Sequence, residues 1–456
     1  MNKKIVTILL SLSFLVSCSN NISSSQIVDL QTSSLTSSSS SSQALIEEKP
    51  KLNFNFSALK RYVLETYWND VNLSVYKNST YRIANKTLPD FLMSVDRFIF
   101  VPPQKDLGFG IPYVIRFPSG RYKNENIGLN KHFILANYTS MSNPDFEYGF
   151  FQYINQNVYD GQPKDNDLED NIGIKTSELL DSPMLTPIVT WQRALLGNEQ
   201  VLNTNLDRES IFATYENMKN YLKVEYNSNQ RIYESKFEEY EYDGMVDLEQ
   251  QFEAIIKHST ELLRKFNYEI EDKVFMTGFS ATGNFTQRFT TFYPELVRAY
   301  FAGGIMFPIL PGNRFEQFDL NYPLGTNEHK TIYGKDFDLQ AYNKVAKINY
   351  VSKFEDRYSP FDGFVLRTIE SMIVKESNFE FNNSSRPEKT LTYWQRNFEI
   401  FKALGGEGMF MYNDLTGHYL DDDDFQFSID FFKMNSKDDI PTYPKSSPYK
   451  QHLILE

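Results

Sequence analysis

The ten residues Val274-Phe275-Met276-Thr277-Gly278-Phe279-Ser280-Ala281-Thr282-Gly283 constrain this chain more than any other segment. A β-rich run enters a Gly-x-Ser turn, and a helical stretch from about Asn284 to Tyr293 leaves it. Such a turn reverses the chain within two or three residues. It forces the serine into a strained backbone and leaves its hydroxyl exposed at a sheet edge. Gly278 is needed because a side chain there would collide across the turn. The surrounding pattern fits one architecture. Before the turn, Leu248, Phe252, Ile255, Ile256, Leu262, Leu263 and Phe266 recur at helical spacing. Phe98 to Val101, Tyr113 to Phe117, Pro187 to Trp191, Ala299 to Ala302, Ile348 to Val351 and Met409 to Tyr412 read as strands. Helices are expected over 391–404, ending at Gly405-Gly406, and over 425–434. Alternation of this kind predicts an α/β fold, a mostly parallel sheet with helices on both faces. Polar stretches interrupt it at 196–244 and 378–389; the first, rich in Tyr, Glu and Lys and helical in character, is read as a lid-like insertion over the carboxyl edge of the sheet.

A serine hydroxyl is a poor nucleophile unless a base takes its proton. Of the five histidines, His132 precedes the turn, His258 lies on the polar side of a helix, His329 lies in a polar loop, and His452 lies in the terminal tail. His418 follows a strand and precedes the last helix, where a base can face the turn. The strand Ile348 to Val351 is followed by Ser352-Lys353-Phe354-Glu355-Asp356, which offers two adjacent acids to orient that histidine. The backbone N–H of Ala281 would be one donor to a developing oxyanion. Asp421 to Asp424 stand just before a helix and read as caps and dipole partners, with no metal assigned to them.

The segment 272–304, with Gly-Phe-Ser-Ala-Thr-Gly, Arg288-Phe289, Tyr293-Pro294 and Ala302-Gly303-Gly304, resembles bacterial α/β-hydrolases related to polyhydroxybutyrate depolymerases and feruloyl-type esterases. Leu206-Asp207-Arg208, Tyr322-Pro323-Leu324-Gly325 and Phe337-Asp338 resemble the same group. The resemblance implies the order serine, acid, histidine, and hence Ser280, Glu355 and His418. It favours Glu355 over the alternative Asp356, because Ser352-x-x-Glu355 occupies the place of a Gly-x-x-Asp turn. Two departures stand out. The second glycine of the turn is displaced by one, with Thr282 in its place, and the His-Gly usual after the second strand is replaced by Pro118-Ser119-Gly120. A second oxyanion donor is therefore expected near Ser119 or Gly120.

The first fifty residues belong to a different kind of polymer. Lys3 and Lys4 precede an apolar run from Ile5 to Val16, too short to span a bilayer as a helix and patterned as an export signal. Leu15-Val16-Ser17-Cys18 resembles a bacterial lipobox, which implies cleavage before Cys18 and acylation of its sulfur. Cys18 is the single cysteine, so no internal disulfide and no cysteine nucleophile are possible in the folded part. Residues 19–50 are Ser-rich and read as a tether, leaving 51–456 as one α/β-hydrolase domain. A net charge of −13 argues against a nucleic-acid partner. The expected protein is a cofactor-independent hydrolase of small or polymeric carboxylic esters, lipid-anchored on the extracytoplasmic face of the cell membrane. The competing expectations are a surface-displayed binding or adhesion protein on a catalytically weak scaffold, and a peptidase on the same fold.

Overall fold

The computed structural model describes residues 54–68, 88–119, 131–135, 172–189, 247–355, 363–375, 387–437 and 440–455, with short pieces at 138–139, 158–159, 162–163, 192–193, 201–202, 206, 208–211, 222–227 and 232–237. The expected signal, lipobox and tether, Cys18 included, lie outside the described residues.

The sheet is built from β1 (Phe98–Val101), β2 (Tyr113–Arg116), β3 (Ile134–Leu135), β4 (Met184–Val189), β5 (Val274–Phe279), β6 (Val297–Gly303), β7 (Ala346–Ser352), β8 (Met409–Asn413) and β9 (His452–Leu455). Tyr138–Thr139 pairs with β4 beyond β3. Across the sheet the order is β1-β2-β4-β3-β5-β6-β7-β8-β9. β2 runs antiparallel to β1 and β4, and β9 antiparallel to β8; β4, β3, β5, β6, β7 and β8 are mutually parallel. A 1-2-4-3-5-6-7-8 order with only the second strand reversed is the α/β-hydrolase fold. Because β5, β7 and β8 are parallel, the loops leaving them emerge at one edge of the sheet.

Strand residues alternate between two cores. Val274 and Met276 of β5 face one layer with Tyr300, Val351 and Phe410. Phe275 faces the other with Phe301, Tyr350 and Met411. The larger layer is covered by α1 (Phe56–Tyr67), α3 (Leu248–Lys265), α4 (Ala281–Phe292) and α5 (Pro387–Ala403). The smaller is covered by α2 (Ile172–Leu180) and α6 (Asp422–Met434). Strands buried on both faces explain the apolar runs in β5 and β8, whereas Arg298 in β6 and Lys347 and Asn349 in β7 are buried polar residues within the sheet. Among the described residues no helix is long and apolar enough to cross a membrane.

Several expectations need correction. β4 begins at Met184 and not at Pro187, since a strand proline removes only one ladder donor. Within 196–244, residues Leu222–Asn227 and Ile232–Phe237 pair as an antiparallel hairpin where helical character was expected. The alternation Leu222-Lys223-Val224-Glu225-Tyr226 has the period of a strand. His452 belongs to edge strand β9 and not to a loose tail. His329 is buried: its Nδ1 and Nε2 lie 2.9 Å from the carbonyls of Lys335 and Thr291.

His258 is likewise no surface residue. Its ring packs against Phe109 and Tyr113, with Nδ1 2.7 Å from the Tyr113 hydroxyl and Nε2 2.9 Å from that of Tyr67. Burial pushes the imidazole down to about 4. The folded protein therefore holds His258 neutral, while the unfolded chain protonates it near 6.5. Its contribution to stability is complete above pH 6.5 and is lost as pH falls from 6.5 towards 4, a change of about 3 kcal/mol. Urea unfolding at pH 7 and pH 4.5 should show a smaller acid loss in His258→Gln than in the wild type. Parallel losses in the two proteins would contradict this assignment.

Candidate active site

The site is built on three loops at the carboxyl edge of the sheet. The first is the β5–α4 turn. Ser280 has φ 60° and ψ −123°, a region costly for any residue with a side chain. A Cβ on Gly278 would stand 2.2 Å from the Thr282 carbonyl oxygen, and one on Gly283 would stand 2.4 Å from that of Gly303. Both glycines are thus sterically required, and the displaced Gly283 is what lets α4 pass close to β6. Thr282, the departure noted in the sequence, closes the turn. Its hydroxyl accepts from the Phe279 N–H and donates to the Phe279 carbonyl, each at 2.8 Å. The Ser280 N–H donates to Gly303 O at 2.9 Å, which fixes the turn on β6. Ala281 is the first residue of α4, so its N–H has no intrahelical acceptor and is available to a ligand.

The second and third loops follow β7 and β8 and are tied to one another. Lys353 N–H donates to Asn413 O at 2.8 Å and Phe354 N–H to Thr416 O at 3.1 Å. The Ser352 hydroxyl donates to the Gly417 carbonyl. These bonds bring Glu355 and His418 together, 63 residues apart in sequence, with His418 Nδ1 2.5 Å from Glu355 Oε1. The Glu355 side chain is fully buried and that of His418 is 10% exposed. A carboxylate on Nδ1 makes that nitrogen the N–H donor and leaves the Nε2 lone pair to act as a base. The imidazole also packs on the Phe279 ring, with centroids 4.9 Å apart, and Phe279 immediately precedes Ser280. The elbow and the Glu355–His418 pair therefore share one corner. Asp356, the alternative acid, lies outside the described residues.

Of the two residues expected to supply the second oxyanion donor, only Ser119 lies among the described residues. The Ser119 N–H donates to Glu178 Oε2 at 3.0 Å, so it is already engaged. Glu178 is itself held by Arg97 at 3.1 Å and Arg116 at 3.6 Å, and it projects from α2 towards this loop. Gly120 lies outside the described residues. Glu178 is not legible in the sequence. Thr282 was visible as an anomaly in the turn, whereas nothing local marks Glu178.

The other histidines are engaged elsewhere. His132 is buried with Nδ1 2.6 Å from the Lys273 carbonyl. The acidic run behaves as expected of a cap: Asp421 Oδ1 accepts from the Asp424 N–H at 2.8 Å, and Asp424 Oδ2 from the Asp421 N–H at 3.0 Å. The outlying resembling segments also meet, since Arg208 donates to Glu328 Oε1 at 2.7 Å and to Tyr322 O at 3.1 Å.

No protein-family model matches the chain, and no curated protein matches it. Solved structures do. Poly(aspartic acid) hydrolase-1 from Sphingomonas sp. KT-1 is 10% identical, with 71% of this chain and 94% of that chain covered and a TM-score of 0.35. A poly(3-hydroxybutyrate) depolymerase from Bordetella parapertussis is 11% identical, with 75% and 90% covered and a TM-score of 0.36. A ferulic acid esterase is 11% identical, with 74% and 95% covered and a TM-score of 0.31. Likeness at this level assigns no substrate and no residue; the fold assignment rests on the strand order.

Proposed function

We propose that this chain is a serine hydrolase that cleaves carboxylic esters through an acyl-enzyme. The observation that carries the reading is the buried Glu355–His418 contact arriving beside a serine in a strained strand-to-helix turn. In the proposed cycle the Ser280 Oγ attacks the ester carbonyl carbon as His418 Nε2 takes its proton. Glu355 holds the imidazole in the right tautomer and stabilises the imidazolium. The Ala281 N–H, at the positive end of α4, donates to the oxyanion. The tetrahedral intermediate expels the alcohol, which takes the proton from His418. Water, deprotonated by the same nitrogen, then releases the acid and restores Ser280. None of these steps calls for a cofactor.

In the same reading the enzyme is displayed outside the cell, anchored by a lipid on Cys18 and spaced from the membrane by the Ser-rich segment. This rests on the lipobox-like sequence, and loss of radiolabelled fatty-acid incorporation in Cys18→Ala tests it. The ester reading is tested by hydrolysis of p-nitrophenyl esters over a range of acyl lengths. Turnover with a defined chain-length optimum is expected; a folded protein giving only the buffer rate would oppose it. One observation favours a second reading, a binding protein on a weak scaffold: the Ser119 amide is occupied by Glu178. In that case the ester or a related ligand would bind without being turned over.

A further inference from the structure

At the N-terminus of α6 and the start of β9, three side chains with no part in the proposed cycle converge. One ligand atom from each of Asp421, Asp424 and His452 lies within 4.8 Å of the others. The side chains of Asp424 and His452 are fully buried. The bonds around them leave particular atoms open. Asp424 Oδ2 accepts from the Tyr350 hydroxyl at 2.9 Å and the Asp421 N–H at 3.0 Å, and Asp421 Oδ1 is taken by the helix cap. Asp424 Oδ1 and Asp421 Oδ2 each receive the one Asn413 amide nitrogen, at 3.1 and 3.2 Å, and Asp424 Oδ1 also faces His452.

His452 supplies the observation that the acidic run lacks by itself. Its Nδ1 is 2.8 Å from Ser447 Oγ, which fixes the ring. Its Nε2 points at Asp424 Oδ1 across 3.0 Å, yet it lacks hydrogen-bond alignment and has no hydrogen-bond partner. A buried imidazole nitrogen and a buried carboxylate oxygen 3.0 Å apart, with the Asp421 carboxylate beside them, are spaced to share one cation. Among the described residues no Lys or Arg pairs with Asp421 or Asp424; Lys175 reaches Asp422, and Gln451 donates to Asp423.

We propose that Asp421, Asp424 and His452 bind a divalent first-row transition ion, with Zn²⁺ the best fit. One imidazole and two carboxylates with a solvent molecule make a four-coordinate set suited to Zn²⁺. Ca²⁺ would need six or more oxygens, which this corner does not offer. Half-buried Asp421 gives the solvent ligand its route in. Ser447, Asn413 and Tyr350 form the outer hydrogen bonds that such a site requires. The ion would clamp β9 to α6 and hold the segment that leaves His418, and it takes no part in the chemistry at Ser280. Asp421 stands only three residues after His418.

The purified full-length chain, stripped with chelator and dialysed against Zn²⁺, should retain one ion per molecule and melt at a higher temperature than the stripped protein. Asp421→Asn is the informative variant, because asparagine caps a helix as well as aspartate does. It should fold normally in chelator and bind Zn²⁺ at least about tenfold more weakly. His452→Ala should lose about a hundredfold or more, and Co²⁺ added to the stripped wild type should give the visible absorption of a four-coordinate site. Absence of stoichiometric Zn²⁺ and of the Co²⁺ bands in the folded wild type would overturn the proposal, as would wild-type affinity in Asp421→Asn. The Asp424–His452 contact would then be a direct one, with no ion between the two side chains. All of these readouts are independent of ester hydrolysis.

Discussion

Ser280→Ala should lower kcat for an activated ester by about four to six orders of magnitude and leave the thermal midpoint of the protein unchanged. The two halves of this expectation have separate causes. The hydroxyl carries the chemistry, so its removal leaves only the contributions of binding and of the Ala281 amide. The backbone strain at φ 60° is indifferent to the loss of one oxygen, since alanine and serine pay the same Cβ penalty there. Ser280→Gly separates the two effects further. Glycine removes the Cβ, so this variant should be equally inactive yet more stable by about 1 kcal/mol, read from denaturant unfolding. An inactive variant that had also lost stability would point to a structural role for the serine.

Glu355→Gln should lower kcat by about three to four orders of magnitude with a smaller change in KM. The glutamine fills the same buried volume. It presents an amide that can orient its N–H₂ towards His418 and stabilise the wrong tautomer, and it cannot balance the imidazolium. Asp356→Asn is the control for the choice between adjacent acids, and it should stay within a fewfold of wild type. Circular dichroism and the melting temperature should match the wild type in both variants. If Asp356→Asn proved the damaging change, the 2.5 Å contact to His418 would not be the working one.

What could be read from the sequence was local or periodic. The Gly-x-Ser turn between a strand and a helix is written in ten consecutive residues. The buried strands β5 and β8 advertise themselves as apolar runs, and α3 by its helical spacing. The pairing of His418 with Glu355 could be anticipated because strand order in a parallel sheet brings successive loops to one edge. Features made by distant partners were not legible. Glu178 reaches the Ser119 amide from α2, nearly sixty residues away, and no spacing rule announces it. His258 sits on a helix face that looks polar in sequence, and only the arrival of Tyr67, Phe109 and Tyr113 buries it. His452 gains its meaning when β9 folds back along β8 and sets it beside a capping aspartate 28 residues earlier. The paired strands at 222–227 and 232–237 are hard to tell from a helix in sequence, because charged and aromatic residues in alternation satisfy a helical composition as well as a strand period.

The proposed cycle requires Ser280 to be a nucleophile activated by His418. Covalent labelling of the full-length protein with a fluorophosphonate, followed by peptide mass spectrometry, tests it most directly, because the probe reports the activated hydroxyl without a choice of ester. One adduct on the peptide carrying Ser280 is predicted, absent in Ser280→Ala and greatly slowed in His418→Ala. A folded wild-type protein that stays unlabelled, or one labelled at another residue, would mean that Ser280 is not the activated nucleophile and leave the fold as a binding scaffold.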